Sequence, residues 1–371
     1  MAALFELTTI NSMTLRNRMV RSATWEGMCE PDGEPTTKLA DFYRRLAEGG
    51  IGLIITGYAF VRPEGKQLPG QMGIHTDKFA AGFIGLTDGV HEAGGKIAVQ
   101  LVHAGGQTDT ATAGRRPLAP SSVSVAQYSE VPDDLSREQI KEIAAAFGAA
   151  ARRGRNWGFD AVQIHGAHGY LINQFLSPLT NRRRDQYGGS LENRSRFLFE
   201  VLNRVRDEVG PDYPVMIKLN AADNLEGGFT LNDARLVAQR LSETGIDAIE
   251  VSAGTPASGK ESPVRMEVGS PEQEGYNLAL AEEIKKSVQC PVMVVGGIRS
   301  YEVAEKIVGA AGLDYVAMAR PLIREPDLPG RWKRGDRRRA SCISCNSCFL
   351  PGIKEGGIYC IVKKKEEEEE K

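Results

Sequence analysis

The chain has 371 residues, of which 41% are hydrophobic and 25% charged, and its 46 basic and 48 acidic side chains leave a net charge of -2. This composition permits a sizeable core and gives no electrostatic reason to expect a nucleic acid or an anionic membrane as a partner. No apolar run approaches the ~20 residues of a membrane span, and the N-terminus lacks the pattern of a signal peptide. We therefore expect a soluble, cytoplasmic protein.

The predicted elements form one repeated alternation. A hairpin is predicted over 5–18, where two apolar runs flank a polar turn and could close the bottom of a barrel. Eight short runs follow that are nearly continuous hydrophobics, as in parallel strands buried on both faces: 19–24, 51–57, 96–101, 161–166, 215–220, 248–253, 292–297 and 315–320. Helical patterns such as 39–50, 137–158 and 232–245 lie between them, and several end in glycine.

Eight strand–helix units predict a (β/α)8 TIM barrel with the N-terminal hairpin and a cysteine-containing C-terminal extension. The alternative, a doubly wound sheet, normally carries G-x-G-x-x-G after its first strand, and that motif is absent there. The stretch 102–136 is predicted to be a long loop. We divide the chain into a barrel (1–340), a cysteine-rich extension (341–362) and a disordered charged tail (363–371), with no linker between two domains.

The active site of such a barrel lies at the carboxyl ends of its strands. The fourth strand ends in H-G-A-H-G-Y, which contains His165, His168 and Tyr170. Two imidazoles could polarise a carbonyl oxygen, and a phenol could then give a proton to carbon. The alternative is a pair of structural histidines and a packing tyrosine, but three such residues at one strand end favour catalysis.

Other strand ends carry candidate binding residues. Lys218 lies in an apolar strand and needs an anion nearby, which could be a ligand or a carboxylate on a neighbouring strand. Gln100 could bind a flat heterocycle with its donor and acceptor. The pairs Gly296–Gly297 and Ala319–Arg320 follow strands seven and eight, where barrels of this class bind phosphate.

These features together resemble the old yellow enzyme group of FMN-dependent NAD(P)H oxidoreductases. The resemblance covers about residues 4–330 and is strongest in IHGAHGYLINQFLSPLTNRRRDQYGGSLENRSRF (164–197) and VGGIRS…YVAMARPLIREPDL (295–328). It implies that FMN binds across the barrel mouth, that His165 and His168 hold the substrate's electron-withdrawing group, and that Tyr170 protonates its α-carbon. Gln100 and Lys218 would contact the pyrimidine side of the flavin, and Gly297, Ala319 and Arg320 its phosphate.

The chain departs from the family pattern at several positions. Trp25 stands where many members place a Cys or Thr near the flavin, and Thr24 is adjacent, so which of the two tunes the flavin is left open. Ala23 and Thr24 are assigned to the cofactor site. Tyr58 replaces a small residue after strand two and reshapes one side of the pocket. Lys218 replaces the usual arginine and offers a point charge without the planar fork.

The remaining motif is C-x2-C-x2-C-x11-C, formed by Cys342, Cys345, Cys348 and Cys360. This spacing suits a [4Fe–4S] cluster, and it resembles the 2,4-dienoyl-CoA reductase and trimethylamine dehydrogenase branch, whose members continue into a second half. The alternatives are a structural zinc ion or reduced thiols without a metal.

The sequence thus predicts an enzyme that reduces an activated C=C bond, in an enone or α,β-unsaturated acyl compound, with FMN and NAD(P)H. The alternatives are an NADH oxidase, an amine-dehydrogenase relative, and an electron-transfer subunit with FMN, the cluster and a partner redox protein. A small molecule is the expected substrate. NADH or NADPH, and a monomer or a homo-oligomer, are left open.

Overall fold

A computed structural model describes residues 3–370 of the protein. Within them the strands are β1 (Thr8–Ile10), β2 (Met13–Leu15), β3 (Met19–Arg21), β4 (Leu53–Phe60), β5 (Ile97–Val102), β6 (Leu118–Ala119), β7 (Asp133–Asp134), β8 (Ala161–Gly166), β9 (Val215–Asn220), β10 (Ala248–Ser252), β11 (Val292–Val295) and β12 (Tyr315–Met318). The helices are α1 (Thr37–Glu48), α2 (Ala80–Glu92), α3 (Thr110–Ala113), α4 (Arg137–Asn156), α5 (Leu171–Leu176), α6 (Leu191–Val209), α7 (Leu231–Glu243), α8 (Leu278–Lys285), α9 (Tyr301–Gly309), α10 (Arg320–Arg324), α11 (Leu328–Lys333), α12 (Phe349–Lys354) and α13 (Ile361–Glu369).

Eight strands close into a parallel barrel in the order β3-β4-β5-β8-β9-β10-β11-β12, with β12 pairing back to β3. They correspond one to one with the eight predicted strands, which confirms the (β/α)8 fold. Long helices follow most strands and cover the outside of the barrel. For example, Ser136 and Gln139 form a reciprocal capping box at the start of α4, and Ile140 and Phe147 on that helix are buried.

The predicted hairpin is also confirmed. Strands β1 and β2 pair antiparallel, with Ile10 opposite Met13. Ile10, Met13 and Leu15 are buried in one cluster with side chains of the barrel strands such as Met216 and Tyr315. Apolar burial of this kind stabilises a fold by about 25 cal/mol per Å². The hairpin therefore packs onto the lower end of the barrel interior.

The C-terminal segment differs from the prediction. Residues 363–369, predicted to be disordered, belong to helix α13, and Lys371 lies outside the described residues. Arg324 forms an ion pair with Glu366 of this helix at 2.5 Å. Alternating blocks of lysine and glutamate are compatible with a helix because both residues have good helix propensity. Among residues 3–370 we find no helix that is both long and apolar enough to cross a membrane.

Candidate active site

An open cleft of about 1040 Å³ lies at the carboxyl ends of the barrel strands. Its wall contains all three predicted catalytic residues and seven of the nine predicted cofactor residues. Those on the wall are His165, His168, Tyr170, Ala23, Thr24, Tyr58, Lys218, Gly297, Ala319 and Arg320. Gln100 and Gly296 are not among the lining residues that the structure describes. The predicted residues thus come together at one place, as the barrel topology requires.

The two histidines sit at the end of β8 and in the turn after it. His165 is the penultimate residue of β8, and its ring centroid lies 5.2 Å from that of His168. His168 has a left-handed backbone (φ 61°), which costs a non-glycine residue energy and turns its ring into the cleft. Its Nε2 lies 2.7 Å from the hydroxyl of Ser252, which ends β10. This contact joins the turn after β8 to the end of β10, which is two strands away in the barrel.

Tyr170 is the N-cap residue of helix α5 and is 8% exposed. Its hydroxyl donates to Oε1 of Gln67 at 2.7 Å, and the same oxygen accepts from the hydroxyl of Tyr58 at 2.8 Å. The Tyr170 ring packs against His165, with centroids 4.7 Å apart. The phenol is therefore oriented by a neutral acceptor beside the two imidazoles.

Burial sets the protonation of these groups. It lowers the pKa of His165 and of His168 well below the usual value, and the nearby charge of Lys218 lowers both further. Burial also raises the pKa of Tyr170. At neutral pH the cleft thus presents uncharged imidazoles and a protonated phenol.

Lys218 is 2% exposed and lies on the cleft wall. Its Nζ donates to the hydroxyl of Ser22 at 2.8 Å and lies 3.2 Å from a carboxylate oxygen of Glu250. The neighbouring-strand carboxylate that the sequence left open as a partner is therefore present. Lys218 also faces the cleft, so the two roles do not exclude each other.

A row of buried amides extends from the same carboxylate. Gln163 donates to Oε2 of Glu250 at 2.9 Å, and Gln100 donates to Oε1 of Gln163 at 2.6 Å. Among residues 3–370, the buried Oε1 of Gln100 has no hydrogen-bond partner. An unpaired buried acceptor of this kind costs about 1–3 kcal/mol. It leaves one acceptor oxygen of the buried strand β5 free.

The turns after β11 and β12 form another side of the cleft. Gly297 has φ 69°, and a Cβ there would lie 3.1 Å from Tyr276 and from Val268. The carbonyl of Gly296 accepts from the N–H of Gly275 at 2.7 Å. The Arg320 guanidinium donates to the Ser344 carbonyl and, at 2.6 Å, to Oδ1 of Asn346. Both partners belong to the C-terminal extension.

The extension contributes to the cleft wall and to a second cavity. Trp25 on the cleft wall packs against Gly352, where a Cβ would approach the indole to 2.6 Å. The second cavity, of about 330 Å³, is lined by Arg320 together with Cys342, Cys345, Cys348 and Cys360. Residues 3–370 contain no group of three or more His, Cys, Asp or Glu side chains arranged so that it could hold a metal ion. The four cysteines are thus brought to one cavity without forming a ready single-ion site.

Among the residues of this site that sequence reasoning missed are Gln67, Ser252 and Glu250. Glu250 had a signal, because it is a lone charge in an apolar strand. Ser252 also had one, because it is a polar residue at a strand end. Gln67 lies in an irregular loop after β4 and had no signal of its own.

Known proteins share this fold and sequence. Residues 3–338 match the sequence profile of the NADH:flavin oxidoreductase / NADH oxidase family. The chain is 42% identical over 352 residues to an NADH oxidase of Thermoanaerobacter brockii, which covers 94% of this chain and 54% of the relative. It is 39% identical over 328 residues to an NADPH dehydrogenase of Clostridium acetobutylicum, covering 87% and 92% respectively. The chain therefore spans about half the length of the first of these relatives and nearly all of the second.

Solved structures of related enzymes also resemble this chain over most of its length. A 2-naphthoyl-CoA reductase in complex with 2-naphthoyl-CoA superimposes with a TM-score of 0.89 at 29% identity, over 97% of this chain and 56% of the other. An old yellow enzyme homologue from Zymomonas mobilis superimposes with a TM-score of 0.77 at 26% identity, over 95% and 99%. The resemblance noted in the sequence is confirmed.

Proposed function

Because the chain belongs to the NADH:flavin oxidoreductase / NADH oxidase family, we propose that it binds FMN in the cleft and uses NAD(P)H to reduce an activated C=C bond. The observation that carries the proposal is the convergence of His165, His168 and Tyr170 on one wall of the cleft. The acyl thioester bound by the 2-naphthoyl-CoA reductase supports including unsaturated acyl compounds among the substrates.

Features of the cleft and of the barrel interior next to it suit FMN. The cleft lies at the carboxyl ends of the barrel strands, where barrels of this class bind their ligands. A buried cation, Lys218, stands on its wall and suits a ring system that becomes anionic on reduction. The buried Oε1 of Gln100 has no hydrogen-bond partner among the described residues and would accept from an imide N–H. Arg320 and the turn at Gly297 would hold the phosphate, and bound FMN would supply hydride transfer.

The two imidazoles would hold the oxygen of the substrate's electron-withdrawing group. The Ala167 N–H donates to Nδ1 of His165 at 3.3 Å, so the neutral ring carries its hydrogen on Nε2 and can donate it. His168 is fixed by Ser252 and faces the same cleft. Hydrogen-bond donors that are already placed where negative charge develops in the transition state lower the activation barrier, because they need not reorganise during the reaction.

Tyr170 would deliver the proton. Its raised pKa keeps the phenol protonated at neutral pH, so it releases the proton only to a strong base such as a developing carbanion. The proton would leave Oη for the substrate's α-carbon. Gln67 then remains as a neutral neighbour of the phenolate and still accepts from Tyr58.

The test is anaerobic stopped-flow of the FMN-loaded protein. Reduction by NADH and by NADPH is measured first, and the reduced protein is then mixed with 2-cyclohexen-1-one or with oxygen. We expect the enone to reoxidise the flavin faster than oxygen at equal concentration. An enone that does not react, with rapid reaction of oxygen, would instead favour an NADH oxidase.

A second function has its own support. Arg320 lines both the cleft and the cysteine cavity, so a redox centre in one would lie next to the other. We propose that Cys342, Cys345, Cys348 and Cys360 bind a [4Fe–4S] cluster, which would pass single electrons to a partner redox protein. A zinc ion needs four sulfurs at about 2.3 Å from one centre. A four-iron cluster spaces its thiolates more widely, which suits four cysteines that line one cavity without forming a single-ion site.

Iron analysis separates these alternatives. Protein prepared anaerobically and reconstituted with iron and sulfide should contain about four irons per chain, with a broad shoulder near about 400 nm. One zinc per chain, or no metal after reconstitution, would remove the cluster and leave an FMN-only reductase.

A further inference from the structure

Lys218 and Glu250 form an ion pair inside the barrel. They lie at paired positions of the adjacent strands β9 and β10, and Nζ is 3.2 Å from Oε1. Glu250 is fully buried and Lys218 nearly so. Removing one partner of a buried pair typically costs about 3–5 kcal/mol because the other charge is left uncompensated. Each of the two side chains therefore depends on the other.

Both oxygens of the Glu250 carboxylate are fixed by further hydrogen bonds. The hydroxyl of Ser22 donates to Oε1 at 2.6 Å and accepts from Lys218, so it bridges the pair. Gln163 donates to Oε2 at 2.9 Å. Glu250 does not line the cleft in the part of the chain that the structure describes, whereas Lys218 and Ser22 do. The Glu250 carboxylate therefore pairs with the Lys218 ammonium without itself lining the cleft.

The other charged or titratable groups around Lys218 do not replace this support. Arg21 on β3 is a like charge and is itself paired with Glu26 at 2.6 Å. His165 is opposite Lys218 on β8, and His168 follows that strand, but the lowered pKa of each keeps it neutral. Burial lowers the pKa of Lys218, and Glu250 opposes that effect.

We propose that Glu250 is a positioning residue that keeps Lys218 charged at the cleft wall and thereby makes the reduction potential of the flavin independent of Lys218 protonation. The inference rests on the proposed function, since it requires FMN beside Lys218. It assigns a role to a residue that does not itself line the cleft in the described part of the chain. The hydroxyl of Ser22 helps to position Lys218, because it is hydrogen-bonded to both Glu250 and Lys218.

The proposal predicts a specific pH dependence. In Glu250→Gln, Lys218 is charged at low pH and stabilises the reduced, more negative flavin. As the pH rises, the unpaired buried ammonium loses its proton and that stabilisation disappears. The double variant Lys218→Met/Glu250→Gln has neither group and provides the reference at each pH.

The experiment measures the flavin midpoint potential from pH 6 to pH 9 in the wild type and the variants. At low pH we expect the midpoint potential of Glu250→Gln to lie above that of the double variant by about 30 mV, which for two electrons is on the order of tenfold in the redox equilibrium constant. At high pH the two potentials should converge. The difference in midpoint potential between the wild type and the double variant should stay constant across this pH range. Glu272→Gln, which removes an exposed glutamate, is the charge-matched control and should follow the wild type.

The outcomes distinguish this inference from the proposed function. Failure of FMN to bind the wild type, or a Lys218→Met variant that binds FMN with an unchanged potential, would contradict the flavin site as proposed. A lowered potential in Lys218→Met combined with a Glu250→Gln curve parallel to the wild type would overturn the role of Glu250 alone. Should Glu250→Gln not fold, Glu250→Asp lengthens the pair, and the same convergence is expected at higher pH. A parallel Glu250→Asp curve would then overturn the proposal.

Discussion

Replacing Tyr170 with phenylalanine removes one hydroxyl from the cleft wall and keeps the ring. That hydroxyl donates to Gln67, whose Oε1 also accepts from Tyr58. Gln67 keeps one partner in the variant, so the loss in free energy of unfolding should be close to the ~1 kcal/mol of a single hydrogen bond. A much larger effect on reactivity must therefore come from the missing proton.

Loss of a positioned general acid typically slows a reaction by about 10²–10⁴-fold. At about 1.36 kcal/mol for each factor of ten, this corresponds to ~3–5 kcal/mol in the activation barrier. We expect it only in the half-reaction in which the enone reoxidises the flavin, because reduction by the nicotinamide needs no proton from Tyr170. FMN should remain bound.

Stopped-flow measurement of the two half-reactions provides the test, and Tyr58→Phe is the matched control. Tyr58 donates to the same acceptor, and its ring centroid lies 5.3 Å from that of Tyr170. Its loss should slow enone reduction far less. Equal slowing of both half-reactions by Tyr170→Phe, or an effect of Tyr58→Phe as large as that of Tyr170→Phe, would refute the assignment of the proton to Tyr170.

Three further predictions concern the cysteines, acid stability and the turn after β11. Cys345→Ser should abolish iron binding and keep FMN, whereas Cys290→Ser should keep both; iron retained in Cys345→Ser would contradict the ligand set. Burial lowers the pKa of His103 from 6.5 to about 4. Between these two pH values the unfolded state therefore binds more protons than the folded state. The free energy of unfolding should thus fall by about 3 kcal/mol as the pH drops from 6.5 to 4, measured by urea unfolding, and His103→Gln should flatten this slope. Gly297→Ala should weaken FMN binding in a fluorescence titration, whereas Gly312→Ala, with the same φ of 69° but open space around its Cβ, should only lower the melting temperature.

The barrel was predictable because continuous apolar runs reveal strands buried on both faces. Strand β9 has the same bounds in the prediction and in the structure, 215–220. Strand β4 runs on to Phe60, past the predicted end at Gly57, because the pairing with β5 shifts register between Ile55 and Tyr58 and then continues. Helix α13 was missed because its charged sequence has no apolar period and no residue in it is buried.

The sequence could predict those residues of the candidate site whose place in the cleft follows from their position along a strand. His165, Tyr170 and Lys218 could be selected because strand ends of a parallel barrel meet at one face. Their partners depend on loops whose course no local pattern encodes. Gln67 reaches Tyr170 across 103 positions of sequence, and that contact exists only once the loop after β4 has folded over the cleft.

The position of Arg320 in the walls of both cavities has a thermodynamic consequence. Its guanidinium is held by Ser344 and Asn346, between the cysteines, so any ligand that shifts those residues changes how Arg320 meets the cleft. Binding of FMN and of the proposed metal would then be linked, and linkage is reciprocal. If metal in the cysteine cavity tightens FMN by some factor, FMN must tighten the metal by the same factor. If the proposed cluster is present, its loss on exposure to oxygen would also change the dissociation constant of FMN.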